Sequence, residues 1–231
     1  MKILVFADIH GDFEKLSSVI DGIRKKTIES TDLVVCPGDF TDMFSAPDEF
    51  SQIEVADMVL QRLMSLKKPM FCVPGNHDPY DILRLFDEYG VNLHNKAESM
   101  GGLKFIGWGG AATPFDTVFE PSEEESAESL SALGAAESKK EKAILVVHNP
   151  PRGTNMDMTR SGEHVGSDAV RKFITENNPV MAISAHIHEA LGTDRLGRTT
   201  LFNAGPVFSG NYGIVDVAGS RVKCEIKKQG S

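Results

Sequence analysis

The sequence predicts an α/β layer architecture, and three observations carry that expectation. Short apolar runs alternate with amphipathic segments through the first half of the chain. The amphipathic segments repeat their apolar residues at helical spacing, whereas the runs are nearly continuous, as in strands buried on both faces. From Ala190 onward the pattern changes to strands separated by glycine turns, which reads as antiparallel pairing. A chain of 231 residues suits one large domain with a core of ordinary size.

The elements follow in order. Residues 2–7 read as a strand, after which Phe13, Leu16, Val19, Ile20 and Ile23 fall on one helical face. Residues 33–36 form a second strand, 53–66 a second helical stripe and 70–73 a third strand. A short helix over 82–89 ends at Gly90. These are βαβ units, which need parallel strands. Residues 91–108 hold short strands around the Gly101-Gly102 turn, a hairpin pattern. Residues 111–142 carry Pro114, Pro121, Glu123-Glu124-Glu125, a small-residue helix candidate and Lys139-Lys140. They are expected to form a solvent-exposed insert within a single domain spanning 1–231. Runs 144–147 and 180–184 resume the buried-strand type, separated by a loop and a helix that Ser167 can cap. Leu196-Gly197-Arg198 and Gly219-Ser220 mark the later turns.

Composition narrows the function. With 24 Lys and Arg against 33 Asp and Glu, the net charge of -9 disfavours broad electrostatic capture of nucleic acid or anionic membrane. A phosphorylated substrate then needs a local positive site. The apolar run 3–7 meets Asp8 too soon for a signal peptide, and no segment approaches a membrane span. Cys36, Cys72 and Cys224 lack paired spacing, sit in apolar or alternating stretches, and read as packing residues of a reducing, cytoplasmic compartment.

The informative feature is what each apolar run leads into. Phe6-Ala7 leads to Asp8 and His10, and Val35-Cys36 to Gly38-Asp39. Cys72-Val73 leads to Asn76, His77 and Asp78, Val146-Val147 to His148, and Ile183-Ser184 to His186 and His188. The carboxyl ends of neighbouring parallel strands share one edge, where ligands bind, so these clusters can converge. Asp8-x-His10 or Gly38-Asp39 alone reads as a turn, and His148 alone as a core histidine. Together they form a metal-ligand inventory without thiolates, suited to Mn, Fe, Co, Ni or Zn, and too large for one ion.

In that order the blocks Asp8-Ile9-His10, Gly38-Asp39, Gly75-Asn76-His77-Asp78, His148 and Ala185-His186-Ile187-His188 resemble the calcineurin-like metallophosphoesterases of the small single-domain prokaryotic type. The resemblance runs from residue 3 to about 206. It implies two mixed β-sheets packed as a sandwich flanked by helices, a four-layer α/β fold. It also implies two divalent metal ions, with manganese as the first expectation and Fe, Ni, Co or Zn as alternatives. Asp8, His10, Asp39 and His188 would hold one ion; Asn76, His148, His186 and Asp39 would hold the other, with Asp39 bridging. His77 would face the substrate as a catalytic residue, with Asp78 orienting it.

The residue types suit that chemistry. Two divalent ions bring four positive charges, of which two carboxylates and a bridging hydroxide cancel three. What remains attracts a phosphate ester, and the neutral imidazoles and Asn76 amide complete coordination without cancelling it. The implied reaction is hydrolysis of a phosphomonoester or small phosphodiester by in-line attack of a metal-bound hydroxide. His77 would protonate the leaving oxygen or stabilise the equatorial oxygens. The alternatives are a nuclease of the same family, disfavoured by the acidic composition, and a noncatalytic scaffold, disfavoured because every ligand position and His77 are present. The expected partner is a small phosphorylated molecule, without nucleic acid or membrane.

Two departures from the resemblance stand out. Ala185 replaces a usual glycine and would cost about 1 kcal/mol or more if its φ were positive. Asn203-Ala204-Gly205-Pro206 is similar to an Asn-Pro-Gly loop but lacks its first proline, and no chemistry attaches to it. In the loop 149–166, Asn149 and His164 are expected to reach substrate. His94 reads as a surface or strand residue, Asp42 and Asp157 as loop caps or groups behind the ligands, and Phe105 and Trp108 as core.

Overall fold

A computed structural model describes residues 1–45, 49–135 and 142–229. Lys139 and Lys140 lie outside the described residues. The first sheet is built on β1 Lys2–Val5, β2 Leu33–Cys36 and β3 Met70–Cys72, which run parallel. Helices α1 Phe13–Gly22, α2 Lys25–Glu29 and α3 Gln52–Met64 make the crossovers. On the free side of β1, the hairpin of β10 Asn211–Ala218 and β11 Arg221–Lys228 adds antiparallel, giving the order β11-β10-β1-β2-β3. After β3 comes α4 Ile82–Glu88.

The second sheet starts from the expected hairpin, β4 Lys96–Met100 and β5 Leu103–Trp108, paired around Gly101-Gly102. β6 Lys142–Val147, β7 Met181–Ser184 and β9 Thr199–Asn203 continue it in parallel, and β8 Gly192–Leu196 closes the far edge antiparallel to β9. The order is β4-β5-β6-β7-β9-β8. Helices α5 Glu123–Ala135 and α6 Asp168–Asn177 belong to this half.

Strand alternation explains how the two sheets stack. Ile3, Val5, Leu33 and Val35 meet Phe105, Ile144, Val146, Ile183 and Phe202 in one buried layer between the sheets. The intervening Leu4, Phe6, Val34 and Cys36 face the other way, against Leu16, Val19, Val59 and Leu63 of α1 and α3. On the far side Leu145, Val147 and Leu201 pack on Val170, Phe173 and Leu130 of α6 and α5. Three apolar layers between helix, sheet, sheet and helix constitute the expected sandwich. Helix starts are set by side chains: Asp12 accepts from Lys15 N at 2.8 Å, Ser51 and Glu54 form a capping box, and Ser167 accepts from Val170 N.

The segment 111–142 differs in part from a solvent-exposed insert. Within it, Leu130 and Ser126 of α5 are buried, and Ser126 Oγ accepts the Trp108 indole N–H at 3.0 Å. The small residues of the helix candidate allow close helix approach: a Cβ at Gly134 would lie 3.1 Å from the Phe173 ring. All three cysteines are free, with Cys36 and Cys72 buried. Among the described residues, no helix is long and apolar enough to cross a membrane.

Candidate metal centre

The chain turns sharply at the ends of β1, β2 and β7, and four residues there take left-handed backbone angles: Asp8 (φ 49°), His10 (φ 51°), Asp39 (φ 55°) and His186 (φ 70°). Each costs on the order of 1 kcal/mol or more outside glycine, a strain that the surrounding structure must hold in place. Backbone bonds do so: Ile9 N and His10 N both donate to Asp39 O, at 2.8 and 3.0 Å, and Ala185 N donates to His148 O at 3.1 Å. Ala185 itself is not among the positive-φ residues. The strain falls one residue later, on His186, so alanine is tolerated.

These turns bring the side chains into two overlapping groups. Asp8, His10, Asp39 and His188 form one, and Asp39, His148 and His186 the other, each with its potential ligand atoms within 4.8 Å of one another. Asp39 Oδ2 joins them, lying 3.4 Å from His10 Nε2 and 3.4 Å from His148 Nε2. Its other oxygen accepts His77 N–H at 2.9 Å, which fixes the carboxylate plane. Asn76 Oδ1 sits 2.9 Å from His148 Nε2, while its amide nitrogen donates to Thr117 Oγ1 at 3.1 Å and thereby orients the oxygen inward. Asp8 Oδ1 accepts His186 N–H at 3.1 Å. Two glycines make this approach feasible. A Cβ at Gly38 would lie 2.5 Å from His148 Nδ1, and one at Gly75 would overlap the backbone and carboxylate of Asp39.

Divalent cations fit this donor set, because without them it is internally unsatisfied. Asp8 Oδ2 is buried with no hydrogen-bond partner among the described residues. His148 Nδ1 lies 2.8 Å from Pro37 O, so it carries the proton, and a neutral ring would then aim the Nε2 lone pair at two further acceptors, Asn76 Oδ1 and Asp39 Oδ2. In the absence of a cation the conflict is relieved by a proton. Burial pushes His148 down, but the charge and hydrogen bond of Asp39 outweigh it and raise the pKa to about 9. His186, dominated by burial with His148 alongside, falls to about 3. His10 is also lowered, chiefly by burial. Neutral imidazoles are the form that ligates a metal, and Pro37 O holds His148 in the tautomer that presents Nε2.

His77 stands beside these two groups and forms a third with His10 and Asp42, whose potential ligand atoms also lie within 4.8 Å of one another. Its ring packs edge-on to His10 with centroids 4.8 Å apart, and Asp42 Oδ1 lies 3.3 Å from its Nδ1. That contact is within ion-pair range but lacks hydrogen-bond alignment, since Nδ1 has no bonded partner among the described residues. Asp78, expected as the orienting partner of His77, is directed elsewhere. Its Oδ1 accepts Thr41 N–H at 2.9 Å and Thr41 Oγ1 at 3.0 Å, and its Oδ2 accepts Gly75 N–H at 2.7 Å. Fully buried, it ties the Asp39 loop to the Asn76 loop. Burial, then the nearby Asp39 charge, push its pKa up to about 7. Adjacency in sequence suggested Asp78; the backbone turn at 75–78 sends consecutive side chains to opposite sides.

The remaining expected residues are placed as follows. His164 Nδ1 lies 2.8 Å from Asp157 Oδ1, and Asp157 is a buried organiser that also accepts Gly153, Thr154 and Gly166 N–H groups. Asn149 is buried, and its Oδ1 has no hydrogen-bond partner among the described residues. His94 is structural: its Nδ1 accepts Gly109 N–H at 2.9 Å and its ring stacks on Trp108. Asn203, to which no chemistry attached, supports the ligand loop after β7. Its Nδ2 donates to Ile187 O at 3.1 Å, and its Oδ1 accepts Gly205 N–H at 2.8 Å. The signal for this was an Asn-x-Gly turn directly after a buried strand.

Comparison with known proteins gives the family and the fold. Residues 1–190 match the calcineurin-like phosphoesterase family, and the chain belongs to that family. It is 30% identical over 211 residues to protein MJ1162 of Methanocaldococcus jannaschii, a match covering 89% of this chain and 88% of the relative. Among solved structures it is similar to TT1561 of Thermus thermophilus, with a TM-score of 0.71 at 18% identity over 97% of both chains. It is also similar to a dimetal phosphatase from Danio rerio, with a TM-score of 0.71 at 14% identity over 99% of this chain and 96% of the other. At such identities the structural likeness concerns the fold.

Proposed function

We propose that the chain is a two-metal phosphoesterase that hydrolyses a small phosphomonoester or phosphodiester. The observation that carries this reading is Asp39, whose Oδ2 stands 3.4 Å from one histidine of each ligand group. A carboxylate shared in this way serves two cations rather than one. Bound there, divalent cations would polarise the phosphoryl group and make water a competent nucleophile near neutral pH. The oxygen- and nitrogen-only donors suit manganese, with Fe, Co, Ni or Zn as other candidates. The likeness to a dimetal phosphatase supports the same reading.

The chain's own residues supply the rest. His77, whose Nδ1 lies 3.3 Å from Asp42 Oδ1, is the residue that would give a proton to the leaving oxygen. Asp39 Oδ1 holds the His77 backbone, so the acid and the bridging carboxylate move as one unit. The net charge of -9 favours a small substrate over nucleic acid, and the free buried cysteines suit a cytoplasmic setting. The test is phosphate release from monoesters, cyclic nucleotides and linear diesters by cation-stripped protein, with manganese or nickel restored. Turnover that depends on the added cation supports the proposal. Two bound ions with no turnover on any ester would make the chain a noncatalytic scaffold.

A further inference from the structure

Three imidazoles form a row at the metal centre, His77 against His10 and His10 against His188, with ring centroids 4.8 and 5.1 Å apart. Phenylalanines close the row at both ends. Phe44 packs edge-on to His77 at 5.4 Å, and Phe208 packs edge-on to both His188 and His10, at 5.0 and 5.5 Å. The Phe208 end opens into a cleft. It has a volume of about 650 Å³, is continuous with His188, and is lined further by Leu191, Pro206, Arg160 and Lys228. That is the size of a site for a small organic molecule. Leu191 leaves 43% of its surface exposed.

The cleft wall is held rigidly. Phe208 lies in the 3-10 turn Val207–Ser209, which is pinned to the β1 end by Val207 N donating to Ala7 O at 2.9 Å. The Arg160 backbone N–H donates to Glu189 Oε1 at 3.1 Å, which fixes the opposite rim through the residue after His188. Leu191 therefore follows the ligand His188 in one loop, and the Phe208 turn is bonded to the β1 end that leads into Asp8 and His10. A substrate whose phosphoryl group sits at the first ligand group has the cleft beside Phe208 open to its organic part.

Taking the phosphoesterase reading as given, we propose that this cleft is the subsite for the organic portion of the substrate and receives a flat ring of nucleobase or aryl type. Phe208 and Leu191 form its apolar face, and Arg160, Glu189 and Lys228 its polar rim. Substrates with a ring one or two bonds beyond the ester oxygen are thereby favoured over aliphatic esters of equal charge.

Two non-hydrolysable probes test this by calorimetry on the manganese-loaded protein: benzylphosphonate and ethylphosphonate, both with a methylene in place of the ester oxygen. Benzylphosphonate is expected to bind about tenfold tighter, from ring burial and aromatic contact. In Phe208→Ala or Leu191→Ser that advantage should fall to about threefold or less, with ethylphosphonate affinity unchanged. Phe208→Tyr should keep it, and Phe44→Ala, at the other end of the row, should not alter it. Equal binding of the two probes to the wild type, or an advantage that survives both cleft variants, overturns the subsite. Failure of both phosphonates to bind the metal-loaded protein overturns the phosphoesterase reading itself, and the subsite with it.

Discussion

Replacing Asp78 by alanine separates a supporting carboxylate from a catalytic one. Its side chain accepts two backbone N–H groups, from Thr41 and Gly75, and one hydroxyl, from Thr41. The hydroxyl has another acceptor within reach, His77 O at 3.3 Å, but the two amides would be left buried without partners. Each unsatisfied amide costs roughly 1–3 kcal/mol, so Asp78→Ala should lose roughly 2–6 kcal/mol of stability. For a chain of this length, that is a fall in Tm of roughly 5–20 °C. Asp78→Asn should lose nearly as much, because one carboxylate oxygen becomes an amide donor facing another donor. Thermal unfolding followed by circular dichroism, with and without a chelator, measures this directly. The loss should persist in the chelator, since none of the three bonds involves a cation. An unchanged Tm with abolished turnover would refute the reasoning and return Asp78 to a chemical role.

Other perturbations give distinct outcomes. Gly75→Ala should abolish binding of both cations, measured by metal analysis, because its Cβ would occupy the space of the Asp39 carboxylate; retained metal would show that the loop can yield. His77→Gln should keep both ions and lose roughly 10² to 10⁴ in kcat, more on alkyl than on nitrophenyl phosphates, whose leaving oxygen needs little protonation. Loss of metal in that variant would make His77 a ligand instead. His164→Ala should leave metal content intact and cost about 0.5–1 kcal/mol of stability by removing one of several donors from Asp157; denaturant unfolding at unchanged stability would contradict the pairing.

The sequence was most legible where one element has one job. Continuous apolar runs placed β1, β2, β3, β6 and β7 within a residue or two, and Ser167 marked the start of α6. The strand-end blocks that suggested a metal site also converge, because parallel strands share an edge within each sheet and the two sheets stack with those edges together, as the Asn76–His148 contact shows. What escaped was set by side-chain direction and by small residues. His77 and Asp78 are neighbours in sequence yet face different partners, Asp42 and Thr41, which only the turn at 75–78, closed by Asp78 N on Gly75 O, decides. Helix α5 lacks a strong apolar stripe because its packing rests on Ser126, bonded to Trp108, and on Gly134, close to Phe173 of α6, as much as on Leu130. Asn203 works by holding the backbone of the 185–188 turn, a task that leaves only an Asn-x-Gly signature.

The central claim is that Asp39 joins two cation positions. Its carboxylate has one oxygen on the His77 amide and the other between His10 and His148. Asp39→Asn preserves the shape, but it must either present an amide donor to the cations or surrender the His77 contact. Metal analysis after equilibrium dialysis against manganese should find two ions per wild-type chain and at most one per Asp39→Asn chain. A single ion per wild-type chain, or two in both proteins, would contradict the account.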